Sequence, residues 1–235
     1  MKTKLLSVAA AAGFSLIAGA ASAVSISVSV FDIGDFSDAV NFSSFVVEDF
    51  EAPDVSAGPV GASLMTSVGT FSAVGGGVGT GTTCTSSGGP CDQLAVRADT
   101  PNSQGNLVGT EQSLNSNDSF GIEWSVMTGD LFNRVVFGIS DATDQGATLT
   151  ITADDGTTSD FDILGPNLPD GNAQLVVIDF NELIGSATVT LENSTLDDGF
   201  AIDGASVGIV PLPAAGFLLI GGLGALGAMR RRQKS

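Results

Sequence analysis

The sequence predicts an all-β domain, one antiparallel sandwich or barrel, between two apolar ends. Three observations carry this. Short stretches rich in Val, Ile, Thr and Phe recur along residues 24–209, each bounded by Gly, Asp or Asn, as in strands joined by turns. The first, Val24-Ser25-Ile26-Ser27-Val28-Ser29-Val30, alternates with strict period two, so one face meets a core and the other meets water. Between the ends, no long stretch repeats with the 3.6-residue period of a helix, which argues against a parallel α/β sheet.

In chain order, residues 24–30 form the first strand. Ser37 suits the cap of a short helix running through Ser44, because its hydroxyl can accept from a free N–H of the first turn. Residues 45–50, 67–74, 93–98, 120–127 and 134–139 read as further strands. Residues 148–153 and 157–164 flank Asp154-Asp155-Gly156, a hairpin signal. Residues 175–180, 187–192 and 200–209 complete the set. The glycine-rich stretch 75–92 lacks the spacing of a dinucleotide or phosphate loop and reads as a surface loop. With neither a linker nor an internal repeat in view, residues 24–209 form one domain.

Composition narrows the chemistry. The chain has 235 residues, 8 basic against 26 acidic, a net charge of −18, and no histidine or tyrosine. Without histidine there is no Ser-His-Asp triad, Cys-His dyad or histidine metal site. A charge of this sign disfavours nucleic acid, whose phosphates need Lys and Arg. At 43 % apolar and 14 % charged, the chain is also unlike a disordered acidic tail.

The ends read as addresses. Lys2 and Lys4 precede an apolar run, and Ala21-Ser22-Ala23 is a small-residue cleavage site. Residues 1–23 therefore read as a secretory signal, with the mature chain starting at Val24. Residues 214–229 carry no charge and are followed by Arg230, Arg231, Arg232 and Lys234. That run spans roughly 24 Å as a helix, short for a bilayer core unless flanking residues extend it. The basic cluster would stay cytoplasmic. Export also suits Cys84 and Cys91, the two cysteines of the chain, which are expected to pair in one disulfide closing a short turn-rich loop.

Val210-Pro211-Leu212-Pro213-Ala214, the glycine-rich apolar run and the terminal arginine cluster together resemble a VPLPA-CTERM sorting signal, a variant of the PEP-CTERM signal of Gram-negative bacteria. The resemblance covers residues 210–235. It implies processing by an exosortase, a membrane-embedded cysteine transpeptidase, after transient anchoring in the inner membrane, and then display at the cell surface or release. An ordinary single-span anchor is the alternative. With both ends set aside, residues 24–209 keep all 26 acids and only Arg97 and Arg134 as cations, a formal charge of −24. Self-repulsion keeps such a surface soluble, and it attracts divalent cations.

A second resemblance lies in the body. Phe45-Val46-Val47-Glu48-Asp49-Phe50-Glu51, Gly185-Ser186-Ala187-Thr188-Val189-Thr190-Leu191 and Asp197-Asp198-Gly199-Phe200-Ala201-Ile202-Asp203-Gly204 resemble core strands of PEP-CTERM proteins, whose bodies are similar to jelly-roll carbohydrate-binding modules. This implies a jelly-roll sandwich. It also makes Glu48, Asp203 and Asp198 the candidate carboxylates for calcium, a cation that takes six to eight oxygens. Gly204 stands where the family usually has Asp or Asn, a departure at the transferred site. The same acids also suit turns or solvent-facing positions.

Sugar binding in such modules needs aromatic platforms. Trp124 is the single indole, and it alternates with Ile122, so it either joins the core or serves as that platform. Nothing in the sequence marks a catalytic carboxylate pair, and no G-x-S-x-G occurs. The reading that follows is a non-enzymatic envelope protein associated with exopolysaccharide or biofilm matrix, with calcium as a bridging cofactor. The alternative is direct glycan binding through Trp124, which requires that residue to be exposed. A glycoside hydrolase is the third reading.

Overall fold

The computed structural model describes residues 23–51, 58–75, 93–98, 112–116, 119–142, 147–163, 172–193 and 199–211. Their strands are β1 (Ile26–Asp32), β2 (Ser44–Glu48), β3 (Gly58–Gly61), β4 (Ser63–Thr66), β5 (Gly69–Val74), β6 (Leu94–Ala98) and β7 (Gln112–Asn115). Then follow β8 (Gly121–Val126), β9 (Phe132–Ser140), β10 (Ala147–Ala153), β11 (Thr158–Ile163), β12 (Ala173–Ile184), β13 (Ala187–Asn193) and β14 (Ala201–Ile209). They pair antiparallel in two sheets. The larger has the order β1-β12-β9-β14-β7-β6-β3, with β2 also on β14; the smaller is β11-β10-β13-β8-β5-β4. From β11 to β14 the chain crosses between sheets at every step, as in a jelly-roll-like sandwich.

Period-two alternation builds the core. On β10, Ala147, Leu149, Ile151 and Ala153 point inward, while the intervening threonines face out. Val135, Phe137 and Ile139 of β9 and Val176, Ile178 and Phe180 of β12 do the same from the opposite sheet, joining one apolar cluster. Trp124 spans the gap. Its ring stacks on Phe71 at 5.0 Å and meets the edge of Phe137, on the other sheet, at 6.1 Å. Its indole N–H donates to the Val68 carbonyl at 3.1 Å, which satisfies the one polar atom this side chain buries.

The outer face of the smaller sheet is hydroxylated. Register aligns Thr70, Ser125, Thr188, Thr152 and Thr158 across five strands. Thr152 and Thr158 hydroxyls lie 3.1 Å apart, and Thr150 donates to Asp160 at 2.8 Å.

Most expected strands are present within a residue or two. The Asp154-Asp155-Gly156 hairpin joins β10 to β11, with Gly156 at φ 85°, a left-handed value natural to glycine. Three strands appear where none was expected: β3, β4 and β7. Each is four residues long, and β3 holds a proline and two glycines; pairing with neighbours, not local propensity, makes them extended. The expected helix from Ser37 to Ser44 is corrected. A 3₁₀ turn at Ile33–Asp35 comes first, capped by Asp32, whose carboxylate accepts from the Gly34 N–H at 3.0 Å. One helical turn follows, α1 (Phe36–Ala39), and Ser44 already belongs to β2. Ser37 lies inside α1, whose N-cap position is Asp35 and carries no side-chain cap bond.

Trp124→Ala is expected to cost about 3–5 kcal/mol, the usual range for deleting a large core aromatic. Urea titration checks this, read by circular dichroism in both proteins. In the parent the single tryptophan gives a second readout, with emission moving to the red as it leaves the core.

Candidate functional site

The outer face of the larger sheet has two unlike halves. Over β1, β12 and β9, the segment 33–42 folds back and packs Ile33, Phe36, Val40 and Phe42 around Val136, Leu175 and Val177. Between this cover and the sheet runs an open groove of about 310 Å³, lined by Ser29, Phe31, Asp35, Asp38, Arg134 and Asp179 among others. Phe31 is 46 % exposed there. Arg134 and Asp179 stand opposite each other in register and form a two-point ion pair, Nε to Oδ1 at 2.6 Å and Nη2 to Oδ2 at 3.0 Å. The Arg134 Nη1 also donates to the Ala39 carbonyl at 3.4 Å, tying the cover to the sheet. The groove thus offers an apolar ring face, fixed donors and acceptors, and two carboxylates on one wall.

Toward β14 and β7 the same face is polar and closed. Ser113, Asn115, Ser140, Asp203 and Ser206 are all buried. Register puts Asp203 beside Gly138 and Asn115 beside Ala201, so small neighbours surround the polar groups. The Ser113 Oγ has no hydrogen-bond partner among the described residues.

The candidate calcium ligands fall at the junction of these strands. Glu48 pairs with Ala205 and so faces the core, whereas Asp203 pairs with Gly138 and faces outward. The register shift between Asp203 and Ser206, with Gly204 at φ 58°, causes this reversal. Glu48 Oε1 accepts from the Phe50 N–H at 2.9 Å, which supports Phe50 in its left-handed conformation at φ 55°. Asp203 Oδ1 accepts from the Gly204 N–H at 2.6 Å. Both acids have further partners. Asp198 lies outside the described residues. Among the described residues no group of three Asp, Glu, Cys or His side chains is placed to hold a metal.

Trp124, the candidate glycan contact, is 2 % exposed. Phe71 covers its ring, so its place is in the core and its face is closed to a sugar. Cys84 and Cys91 lie outside the described residues, as do Leu212, Pro213, Ala214, Arg230, Arg231, Arg232 and Lys234. Val210 is described, and the Asn133 amide clasps it, accepting from its N–H at 2.7 Å and donating to its carbonyl at 2.9 Å. Among the described residues no helix is long and apolar enough to cross a membrane.

The groove residues escaped the sequence reading, yet two signals point to them. Phe31 stands on the serine face of β1, after Ser25, Ser27 and Ser29, where period two calls for a polar residue. Arg134 is one of two cations in residues 24–209.

No protein-family model matches the sequence, and no curated protein matches it. Solved structures overlap about half of it. One is the enzymatically active domain of tailspike protein 4 of bacteriophage CBA120, at 16 % identity and TM-score 0.32, over 50 % of this chain and 18 % of that one. Another is a family 11 carbohydrate-binding module of Clostridium thermocellum with a β-1,3-1,4-mixed-linked tetrasaccharide, at 12 % identity and TM-score 0.28, over 51 % and 86 %. A third is a xylan-binding family 22 domain, at 15 % and 0.28, over 49 % and 81 %. Overlaps of this extent assign no ligand.

Arg134→Ala is expected to remove both the ion pair and the tether to Ala39. The cost is about 1–2 kcal/mol, because the geometry is two-point and partly buried. Hydrogen exchange should speed up in residues 36–42 while the folded-state tryptophan emission stays unchanged.

Proposed function

We propose that this chain is an exported, non-enzymatic interaction protein that contacts polysaccharide directly through the groove between residues 33–42 and the larger sheet. The observation that supports this most is a single groove lined by both the exposed Phe31 ring and the fixed Arg134–Asp179 pair, with Phe31 opposite Leu175 and Asp179 opposite Ser27 on the same sheet face. A ring face takes the apolar C–H edge of a sugar, while guanidinium and carboxylates exchange hydrogen bonds with its hydroxyls. Asp35 and Asp38 stand on one wall, and Asp179 on the sheet is held by Arg134. A carboxylate held in a two-point ion pair suits binding better than acid–base or nucleophilic work. The signal-like N-terminus and the sorting-like C-terminus support delivery through the inner membrane, processing by an exosortase, and a place at the cell surface or in the matrix.

Charge favours a neutral polysaccharide for direct contact, because −24 over residues 24–209 repels an acidic polymer. The same charge supports a second reading, in which calcium bridges the protein to an anionic polymer, with Glu48, Asp203 and Asp198 as its candidate ligands.

Co-sedimentation of the exported protein with its host's exopolysaccharide, in calcium and in chelator, separates these readings. Direct contact predicts binding that survives chelator and falls about tenfold in Phe31→Ala, equivalent to about 1.4 kcal/mol. Binding lost in chelator and indifferent to Phe31→Ala selects the calcium bridge. No pelleting in either buffer ends both. The mass of the same protein tests its processing: a terminus at or near residues 210–214 is expected, and an intact Ser235 would instead indicate a plain anchor.

A further inference from the structure

The start of β1 is held in an acidic recess. The Val24 N–H donates to Asp155 Oδ2 at 3.0 Å, and the Val24 side chain is buried in the core cluster. One residue later, the Ser25 N–H donates to Asn181 Oδ1 at 2.7 Å, and the Asn181 N–H donates back to the Ser25 carbonyl at 3.1 Å. The recess has a volume of about 490 Å³, and Ala23, Val24, Asp154, Asp155, Glu182 and Ile184 are among the residues that line it. Asp154 is fixed by the Gly185 N–H, 2.8 Å from its Oδ2. Among the described residues, the titratable groups lining the recess are Asp154, Asp155 and Glu182, with no basic side chain; Asp155 is the one that meets the Val24 nitrogen. Asp155 is held below the usual carboxylate range, first by the Val24 N–H and then by the backbone and hydroxyl of Thr157.

A neutral amide is a modest partner for a carboxylate flanked by two more acids, and a cation at the same point suits it better. Residues 24–209 contain no lysine, so the body has no flexible ammonium side chain to supply one. Hydrolysis of the Ala23–Val24 amide, where the sequence places the export cleavage, would. One water is consumed by the processing peptidase reaction. The C–N bond breaks, a carboxylate remains on Ala23, and the Val24 nitrogen takes up a proton to become an ammonium.

We infer that the recess at the β10–β11 turn is a receptor for the chain's own α-ammonium terminus, which pairs with Asp155 and pins edge strand β1 in the processed chain alone. The inference rests on the export reading above. In the precursor the Val24 nitrogen meets Asp155 as a neutral amide, so cleavage turns this contact between β1 and the β10–β11 turn into a charged one. The two charges give the fastening a pH window. Asp155, with its folded value lowered, contributes above its unfolded value near 3.9 and stops contributing as pH falls through the folded value. The amine, raised by its partner, contributes fully below its unfolded value of about 7.7–8.0 and stops as pH rises through the folded one.

The test uses the exported protein recovered from its host, parent and Asp155→Asn, with Asp154→Asn as a second variant in the same turn. Mass spectrometry first reads the N-terminus. Pulse labelling of the terminal amine against pH, resolved by peptide, then reads its protonation. The expected result is a chain starting at Val24. Its amine should titrate above the ordinary range and label about three- to tenfold more slowly at pH 7 than in Asp155→Asn. Asp154→Asn should give a smaller change, and millimolar calcium none. Thermal stability should fall above pH 8 in the parent and stay level there in Asp155→Asn. An amine that titrates in the ordinary range, indifferent to Asp155→Asn, overturns the inference while leaving export intact. Calcium that speeds labelling to the Asp155→Asn rate also overturns it, since the recess would then be a metal site from which the terminus is displaced. A first residue other than Val24, read from the mass alone, overturns it together with the cleavage position.

Discussion

The stack of Phe71, Trp124 and Phe137 is the contact on which the two sheets depend. A sandwich needs side chains from both inner faces to fill the space between them, and Trp124 reaches from the smaller sheet to the larger. Phe50 extends the row, its ring meeting Phe71 edge-on at 5.4 Å. That contact requires Phe50 in a left-handed backbone conformation, which a bulky residue adopts only under support. Glu48 provides part of the support by accepting from the Phe50 N–H. A carboxylate that reads in the sequence as a metal ligand is therefore also a backbone brace for the aromatic row.

The bulge at Gly204 matters in a similar way. β14 shares one edge between β7 and β2, pairing with β7 through Ala201 and Ile202 and with β2 from Ala205 onward. The register shift between these two contacts turns Asp203 outward while Ala205 stays inward. Without it, Asp203 and Glu48 would share the core face, and two acids would compete for the same apolar space. The bulge sends Asp203 instead to a polar patch with Ser113, Asn115 and Ser140.

Much of this was legible in the sequence. Strict alternation in β1, β10 and β13 identifies strands because each has one dry and one wet face. The Asp154-Asp155-Gly156 turn is legible because its chemistry is local. Strands β3, β4 and β7 were not, since Gly58, Pro59 and Gly61 become extended only when a neighbouring strand supplies their hydrogen bonds. The helix expected from Ser37 failed because the chain already turns at Asp32, and Ser37 falls inside the single helical turn that follows. The site was least legible. A lone tryptophan invites a sugar-platform reading, but burial depends on which face of β8 meets the core. Phe31 comes to line a groove only because residues 33–42, distant from β9 and β12 in sequence, fold over those strands.

The smaller sheet ends in β11 on one side and β4 on the other. Strand β11, Thr158–Ile163, carries Asp160 and Asp162 on the outward face beside the threonine rows. An open edge is a template on which another strand can be added. Here a second copy approaching edge to edge would bring its own Asp160 and Asp162 alongside these, and their like charges oppose the pairing. The hydroxyls of Thr150 and Thr152 already bond sideways to Asp160 and Thr158, so stacking one such face on another gains few new hydrogen bonds. At the β11 edge, charge that costs nothing to the core therefore works against strand addition.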